Sequence, residues 1–256
     1  MWVLGVVVAA CGPRRIALPT DPGTPLPEYA EIHRQVSSSC TGVRTLTAVL
    51  GLSGRAGGQS LRGQVRAGFE RPASMRLEGV APFGAPLFVL AVNEMSAVLW
   101  LPRDARVVRD APPEEILGAL TGVTLAPGDL QALLSGCVVP APRPTAGRLH
   151  GNGWASVDLE GGATLYLQRQ GGAWRVRAAR RDGWQVEYPA WAGPFPQSMR
   201  LQSNGLALDV EITATISQLE ANIDLDASAF TVDVPPSALP LSIEELRTAG
   251  PLSEQS

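Results

Sequence analysis

"SLRGQVRAGFER", residues 60–71, decides the fold class. Leu61, Val65, Ala67 and Phe69 fall on one side of an extended chain, and Arg62, Gln64 and Arg66 on the other. Successive side chains of a strand alternate between faces, so this is a strand of an antiparallel sheet with one dry and one wet side. The preceding run, "VRTLTAVLGLSG", carries Leu46, Ala48, Leu50 and Leu52 in the same rhythm. Far downstream, Leu206, Leu208, Val210, Ile212, Ala214 and Ile216 alternate with Asp209, Glu211, Thr213 and Thr215. Between these lie strands expected over 75–80, 87–92 and 97–101. The last two are almost wholly apolar, which suits a strand covered on both faces or lining a cavity. Further strands are expected over 148–159, 163–170, 173–181, 184–189, 198–203 and 206–217. Gly161-Gly162, Gly171-Gly172 and Asp182-Gly183 sit where tight turns belong.

Helical spacing interrupts this pattern in three places. Residues 27–39 put Tyr29, Ile32 and Val36 on one face. "DAPPEEILGALTG" offers Asp110 as a cap, prolines and then Glu114 and Glu115 in the first turn, an apolar stripe of Ile116, Leu117 and Leu120, and Gly122 as the stop. "APGDLQALLSG" repeats the design with Leu130, Leu133 and Leu134. Short one-sided helices must cover something apolar, most simply the concave face of the sheet. The expected fold is therefore α+β: one domain, about eleven strands on a large curved sheet, with helices inserted midway.

The chain of 256 residues is 45% apolar and 18% charged, enough to bury a core. Its net charge is −3, and all 21 basic residues are Arg. That balance gives no reason to expect nucleic acid, and the lack of Lys excludes any Lys-dependent mechanism. The apolar run before Cys11 is far shorter than the about 20 residues that span a bilayer and suits a signal sequence. Val8-Ala9-Ala10-Cys11 resembles the bacterial lipobox, in which the Cys is lipidated after cleavage. "GPRRIALPTDPGTPLP" then reads as a Pro- and Gly-rich tether of roughly 50 Å at about 3.3 Å per residue. Gly12, in place of an Asp, suggests sorting to the outer membrane. Cys40 and Cys137 suit either a disulfide in an oxidising compartment or two buried thiols.

Catalytic machinery is not evident. His33 is expected on the polar side of the first helix and His150 in a strand. Neither has a His or Cys partner at metal-ligand spacing. No nucleophile elbow or phosphate loop occurs. Asp224 and Asp226 lack the rest of a calcium loop, and Asp158 and Glu160 read as a strand end. We therefore expect a binding protein, with no enzyme activity, no cofactor and no metal. The same aliphatic supply suits a filled core or a container for an apolar ligand.

"APFGAPLFVLAV", "PPEEILGALTG" and "LAPGDLQALLSG" resemble, in order and spacing, segments of the LolB-like outer-membrane lipoprotein receptors of the LolA/LolB superfamily. "WQVEYPAWAGPFPQSMRLQSNGLALDV" is similar to the closing segment of that family. "SAFTVDVPPSALPL" looks more like the tail of LolA, the soluble carrier. The resemblance implies an unclosed antiparallel β-barrel with a short helical lid over an apolar cavity. It divides the chain into a signal peptide at 1–10, the lipidated Cys11 and flexible tether at 11–26, a lipid-binding domain at 27–235 and a C-terminal tail at 236–256.

It further implies a monomeric protein lipid-anchored to the periplasmic face of the outer membrane. Such a protein receives acylated lipoproteins from a LolA-like periplasmic carrier and inserts them into outer-membrane lipid. Pro82, Phe83 and Gly84 match the loop whose apolar tip serves insertion. Leu50, Phe69, Leu77, Phe88, Leu90, Trp100, Ile116, Leu120, Leu130 and Leu133 are the expected acyl-chain cavity. The alternatives are a carrier of the same fold for another acylated molecule and a non-transport sensor or structural envelope lipoprotein.

Overall fold

A computed structural model describes residues 15–56, 58–80, 86–93, 96–137, 142–203 and 209–249. The chain begins with β1 (Thr24–Pro25), α1 (Tyr29–Thr41), β2 (Thr45–Ala56) and β3 (Gln59–Glu70). It continues through β4 (Ser74–Val80), β5 (Val89–Asn93), β6 (Ser96–Leu101) and β7 (Arg106–Val108). Two helices, α2 (Pro113–Thr121) and α3 (Pro127–Leu134), precede β8 (Pro144–Leu149), β9 (Trp154–Leu159), β10 (Thr164–Gln170) and β11 (Ala173–Arg181). β12 (Trp184–Ala192), β13 (Phe195–Ser203), β14 (Val210–Ala221), β15 (Leu239–Pro240) and α4 (Ile243–Ala249) complete it.

All the strands join one sheet, in the order β1-β8-β9-β10-β11-β12-β13-β14-β2-β3-β4-β5-β6-β7-β15. Every pairing is antiparallel except β7 with β15. The order has two ends, so the sheet curls without closing. Among the described residues the strand count is 15, not the eleven expected. The run 148–159 is two strands, because a 3-10 turn at Gly151–Gly153, with Asn152 at φ 58°, folds it into a hairpin. β1, β7 and β15 are two or three residues long, too short to show a period.

The two halves of the sheet meet where β14 pairs with β2, from Val210↔Ala56 to Ala221↔Leu46. Leu46, Ala48, Leu50, Leu61, Val65, Ala67 and Phe69 are buried on the inner face, as their alternation requires. β6 alternates the other way from the expected Trp100: Ala97, Leu99 and Leu101 are buried inward, while Val98 and Trp100 are half-buried on the outer face. A register displaced by one residue exchanges the faces. β5 is covered on both sides. A 3-10 turn at Ala227–Phe230 packs on the outer face of β4 and β5, and Val89 and Ala91 are buried.

Both terminal segments fasten to the edges. Residues 15–26, expected as a flexible tether, lie on the sheet: β1 pairs with β8, and the Ile16 N–H donates to Glu187 Oε2. Residues 239–249, within the expected tail, form β15 and α4. α4 packs on α2 with Leu246 fully buried. The sheet has no open edge at β8 or β7 where these short strands cap it, a standard protection against edge pairing.

Gly54 sits at the seam between the halves, at φ 144°, and a Cβ there would meet Glu211 O at 2.0 Å. Gly54→Ala is expected to destabilise by roughly 3 kcal/mol or more, from backbone strain plus overpacking. Gly63→Ala on β3, whose Cβ meets nothing within 4 Å, should change stability by about 0.5 kcal/mol or less. Urea unfolding of the pair checks this.

Candidate functional site: an apolar cavity beneath two helices

Helices α2 and α3 cross the concave face and enclose a cavity of about 90 Å³. α2 starts after Pro112, with Pro113 in its first turn; Asp110, expected as its cap, stands outside the helix. It stops at Gly122 in the left-handed region, φ 74°, where the Gly122 N–H donates to Gly118 O. Leu117 and Leu120 of α2 face Leu130, Leu133 and Leu134 of α3 across the space. Leu50, Leu52, Leu61, Val65 and Leu77 form the wall from β2, β3 and β4. Met199, Leu201, Ile212 and Ala214 form that from β13 and β14. The one hydroxyl present, on Thr121, is satisfied by Leu117 O at 2.8 Å.

Of the residues expected here, Leu50, Leu77, Phe88, Leu120, Leu130 and Leu133 line the cavity. Phe69, Leu90 and Ile116 are fully buried in the surrounding core instead, and Trp100 is on the other face of the sheet. Cys11, Pro82, Phe83 and Gly84 lie outside the described residues. Size decides what the cavity can hold as it stands. An engineered cavity of about 150 Å³ takes benzene, so 90 Å³ is too small for an acyl chain. A chain enters only if the covering helices move.

The two helices are held differently. α3 is pinned by polar bonds: the fully buried Tyr188 donates its hydroxyl to Leu133 O at 3.0 Å, and Gln131 Nε2 donates to Arg44 O at 3.3 Å. Burial pushes the Tyr188 phenol pKa up, so it stays a donor. Just past α3, Cys137 is disulfide-bonded to Cys40 at the end of α1, closing a separation of 97 residues. A loop of that length is worth on the order of 4 kcal/mol in the chain-entropy account. α2 has no such tie. Among the described residues its side chains make no hydrogen bond or ion pair to a strand, and apolar packing alone holds it.

Next to the cavity is an open recess, the mouth, of about 320 Å³; the two share Val123, Leu125, Leu133 and Leu201, and Val186, Trp184, Arg180, Arg181 and Asp182 also line the mouth. Register puts this mouth and the N-terminal segment at one end of the sheet, and β4 runs toward that same end. Trp184↔Ser203, Gln202↔Glu211, Glu211↔Arg55 and Arg55↔Ser60 run across one end of the sheet, and Val80 pairs nearby with Gln64. Arg15 reaches Glu211 at 3.3 Å at that same end.

The histidines are placed otherwise than expected. His33 is half-buried against a second recess between α1 and α3, and burial lowers its pKa. His150 lies in a Ser–His–Asp chain that no sequence spacing announced. Its Nδ1 is 3.1 Å from Asp21 Oδ1, and its Nε2 is 2.9 Å from Ser156 Oγ. Ser156 is 5% exposed in mid-strand, between Tyr166 and Arg148 on the neighbouring strands. The chain of bonds acts as a clip for the N-terminal segment. Gly23, at φ 63°, is packed so closely that a Cβ would meet His150 at 2.8 Å. Asp224 is given to Arg44, and Asp226 caps the Ala227–Phe230 turn.

No family model matches the chain, and no curated protein matches it in sequence. Solved structures do. A LolA superfamily protein from Nitrosomonas europaea superposes with a TM-score of 0.52 at 10% identity, covering 82% of this chain and 98% of that one. A DUF1329 family protein from Desulfovibrio piger gives 0.49 at 11% identity, over 81% and 97%. The lipoprotein LppX from Mycobacterium tuberculosis gives 0.33 at 14% identity, over 78% and 99%. The first of these likenesses shows the fold: a large unclosed sheet with inserted helices, as in the LolA superfamily protein. At such identities no ligand or partner comes with it.

The clip has a pH signature. The His150 hydrogen bond, helped by the Gly23 N–H, holds Asp21 below its ordinary pKa. A depressed carboxylate contributes stability that is present above its unfolded value and lost as pH falls through the folded one. Amide protection at Leu26, whose N–H donates to Gly147 O, should therefore hold at neutral pH and fall below about pH 4. Asp21→Ala should lower it at neutral pH and remove the acid dependence. Hydrogen exchange read by NMR checks both.

Proposed function

We propose that the protein is a LolB-like acceptor: it binds the acyl chains of lipoproteins beneath α2 and α3 and helps insert them into the outer membrane. The observation that carries this reading is an apolar space, with the Thr121 hydroxyl its one polar side-chain group, roofed by a helix whose side chains make no hydrogen bond or ion pair to a strand among the described residues. Lifting α2 enlarges the space without breaking hydrogen bonds, and a chain then replaces the packing that α2 gives up. No covalent bond is made or broken. Each methylene removed from water is worth about 0.8 kcal/mol, so a chain of about fifteen holds on the order of 12 kcal/mol. Water cannot release it; a second apolar environment must compete, and only the difference in affinity drives transfer.

That second environment is the bilayer. With Cys11 lipidated, three residues lie between the anchor and Arg15 on the sheet, a span of four residue steps. Such a leash reaches roughly 14 Å at about 3.5 Å per residue, far shorter than a free tether. It holds the mouth end of the sheet beside the membrane. Phe83, three residues past the end of β4 in the sequence, is the residue we assign to insertion. An exposed Phe forgoes roughly 1.5–3 kcal/mol of burial, which lipid contact restores. The Cys40–Cys137 disulfide supports an oxidising, extracytoplasmic location.

Purified protein is expected to bind a fluorescent acyl probe and to accept an acylated lipoprotein from a LolA-like carrier. Failure of both in folded protein would sink the reading. Phe83→Glu should keep probe binding and fold but lose delivery of lipoprotein to vesicles. Ala214→Leu puts three more carbons into the cavity wall. It should change stability by about 1 kcal/mol or less, because the void takes them up, and weaken probe binding at least about tenfold. Unchanged binding in Ala214→Leu would place the chain elsewhere.

A further inference from the structure

The mouth of the cavity has a polar counterpart on the other side of the sheet. Asp182 and Gly183, at φ 47° and 78°, form the two-residue turn between β11 and β12, a tight hairpin of the left-handed kind. The rim is therefore one hairpin thick. The inner side is the apolar mouth. The outer side is a recess of about 510 Å³ lined by Arg180, Gln185, Glu187, Gln202 and the N-terminal Arg15. Pairing sets the two sides. Arg181 pairs with Trp184 on the inner face, and Arg180 pairs with Gln185 on the outer. The two arginines leave opposite faces of the strand, and both border the mouth and the recess, as do Asp182 and Trp184.

The outer recess is built. Gln185 and Gln202 are each 7% exposed and Glu187 1%, on a face where strand side chains are ordinarily solvated. Most of their hydrogen-bonding capacity is spent internally. Arg180 Nε donates to Gln185 Oε1 at 2.7 Å, and Gln185 Nε2 donates to Glu187 Oε1 at 2.8 Å. Glu187 Oε2 accepts from Arg200 at 3.2 Å. The exception is Gln202, which lines the recess and whose buried Nε2 has no partner. A buried donor left unmade is costly, so such groups point to something that completes them. The charges lean the same way. Arg15 is paired with Glu211, Arg181 with Asp182 and Arg200 with Glu187. Arg180 has no carboxylate within ion-pair distance among the described residues. What is left over is donors and one positive charge, which match a ligand group that only accepts.

We infer that the recess is the head-group half of an amphiphile site, and that the protein takes phosphate-headed diacyl lipids as well as lipoprotein acyl chains. The acyl chain passes the inner mouth, the head group crosses the rim at Asp182 and Gly183, and Arg180 and Gln202 hold the phosphate on the outer side. Arg181 attends the phosphate as it crosses. This rests on acyl binding in the cavity, as proposed above.

A competition experiment separates the two. A fluorescent diacylglycerol bound to the full-length protein is displaced with phosphatidylglycerol, with unlabelled diacylglycerol of the same chains, and with inorganic phosphate. Phosphatidylglycerol should displace the probe about tenfold more tightly than diacylglycerol, one charge-assisted hydrogen bond's worth, and inorganic phosphate should not displace it. Arg180→Ala and Gln202→Leu should each bring the ratio toward one, and Gln202→Leu should leave diacylglycerol affinity unchanged. Gln202→Leu removes an unpartnered amide for a side chain of similar shape, so it should keep the fold, and the diacylglycerol affinity reports that directly. Equal displacement by the two lipids in the wild type, a ratio unmoved by both variants, or displacement by inorganic phosphate would overturn the head-group site. Failure of the probe to bind at all overturns the acyl-binding reading and this one with it.

Discussion

The pairing of β14 with β2 is the constraint on which the rest of the molecule depends. Each half of the sheet is a meander of hairpins between chain neighbours, β2 to β7 and β8 to β14. Such pairings are local. β2 with β14 joins residues more than 150 apart in sequence, through ten residue pairs broken by one irregularity between Ser217 and Glu220. Its cost is loop closure over most of the chain. Its return is a single curved surface in which the inner faces of both halves share one apolar core. Gly54 is the residue type this seam needs, because only a missing side chain lets the two backbones approach there.

That curvature creates both the need for a lid and the means to make one. The segment between β7 and β8 must cross from one edge of the sheet to the other. It does so as α2 and α3 over the concave face, where their leucines find the apolar surface the strands expose. The two helices are unequally committed. Tyr188, Gln131 and the disulfide hold α3 by directional bonds, whereas α2 relies on area alone. Burial is nondirectional and exchangeable, so under the proposed function an acyl chain would stand in for α2 but not for the ties on α3. In that proposal the small cavity and the loosely tied α2 are parts of one device.

Much of this is legible in the amino-acid sequence. Alternation in residues 60–71 and in the stretch around Ile212 reflects a period of two that every half-buried strand must obey, and the inner faces of β2 and β3 follow it residue for residue. Leu120, Leu130 and Leu133 are legible for the same reason, as helix stripes. Trp100 is not, because a nearly all-apolar strand carries no alternation to set its register. Leu90 and Ile116 differ again: an aliphatic side chain facing inward lines a void or fills the core according to neighbours that sequence does not name. The Asp21–His150–Ser156 clip and the Gln202 recess are invisible at that level, since their members come from distant segments and none has a distinctive spacing.

By itself, then, the sequence determined which residues of the alternating strands turn inward, where the turns at Gly161-Gly162, Gly171-Gly172 and Asp182-Gly183 fall, and that short one-sided helices interrupt a long antiparallel sheet. Those are properties of local backbone geometry and side-chain polarity, which act over a few residues. Tertiary structure alone decided that Cys40 meets Cys137, that residues 15–26 lie against the sheet instead of swinging free, and that an apolar mouth and a polar recess share one hairpin rim. Each of these depends on how far the sheet twists and where its halves join. That is set by packing over the whole chain, and no short stretch encodes it.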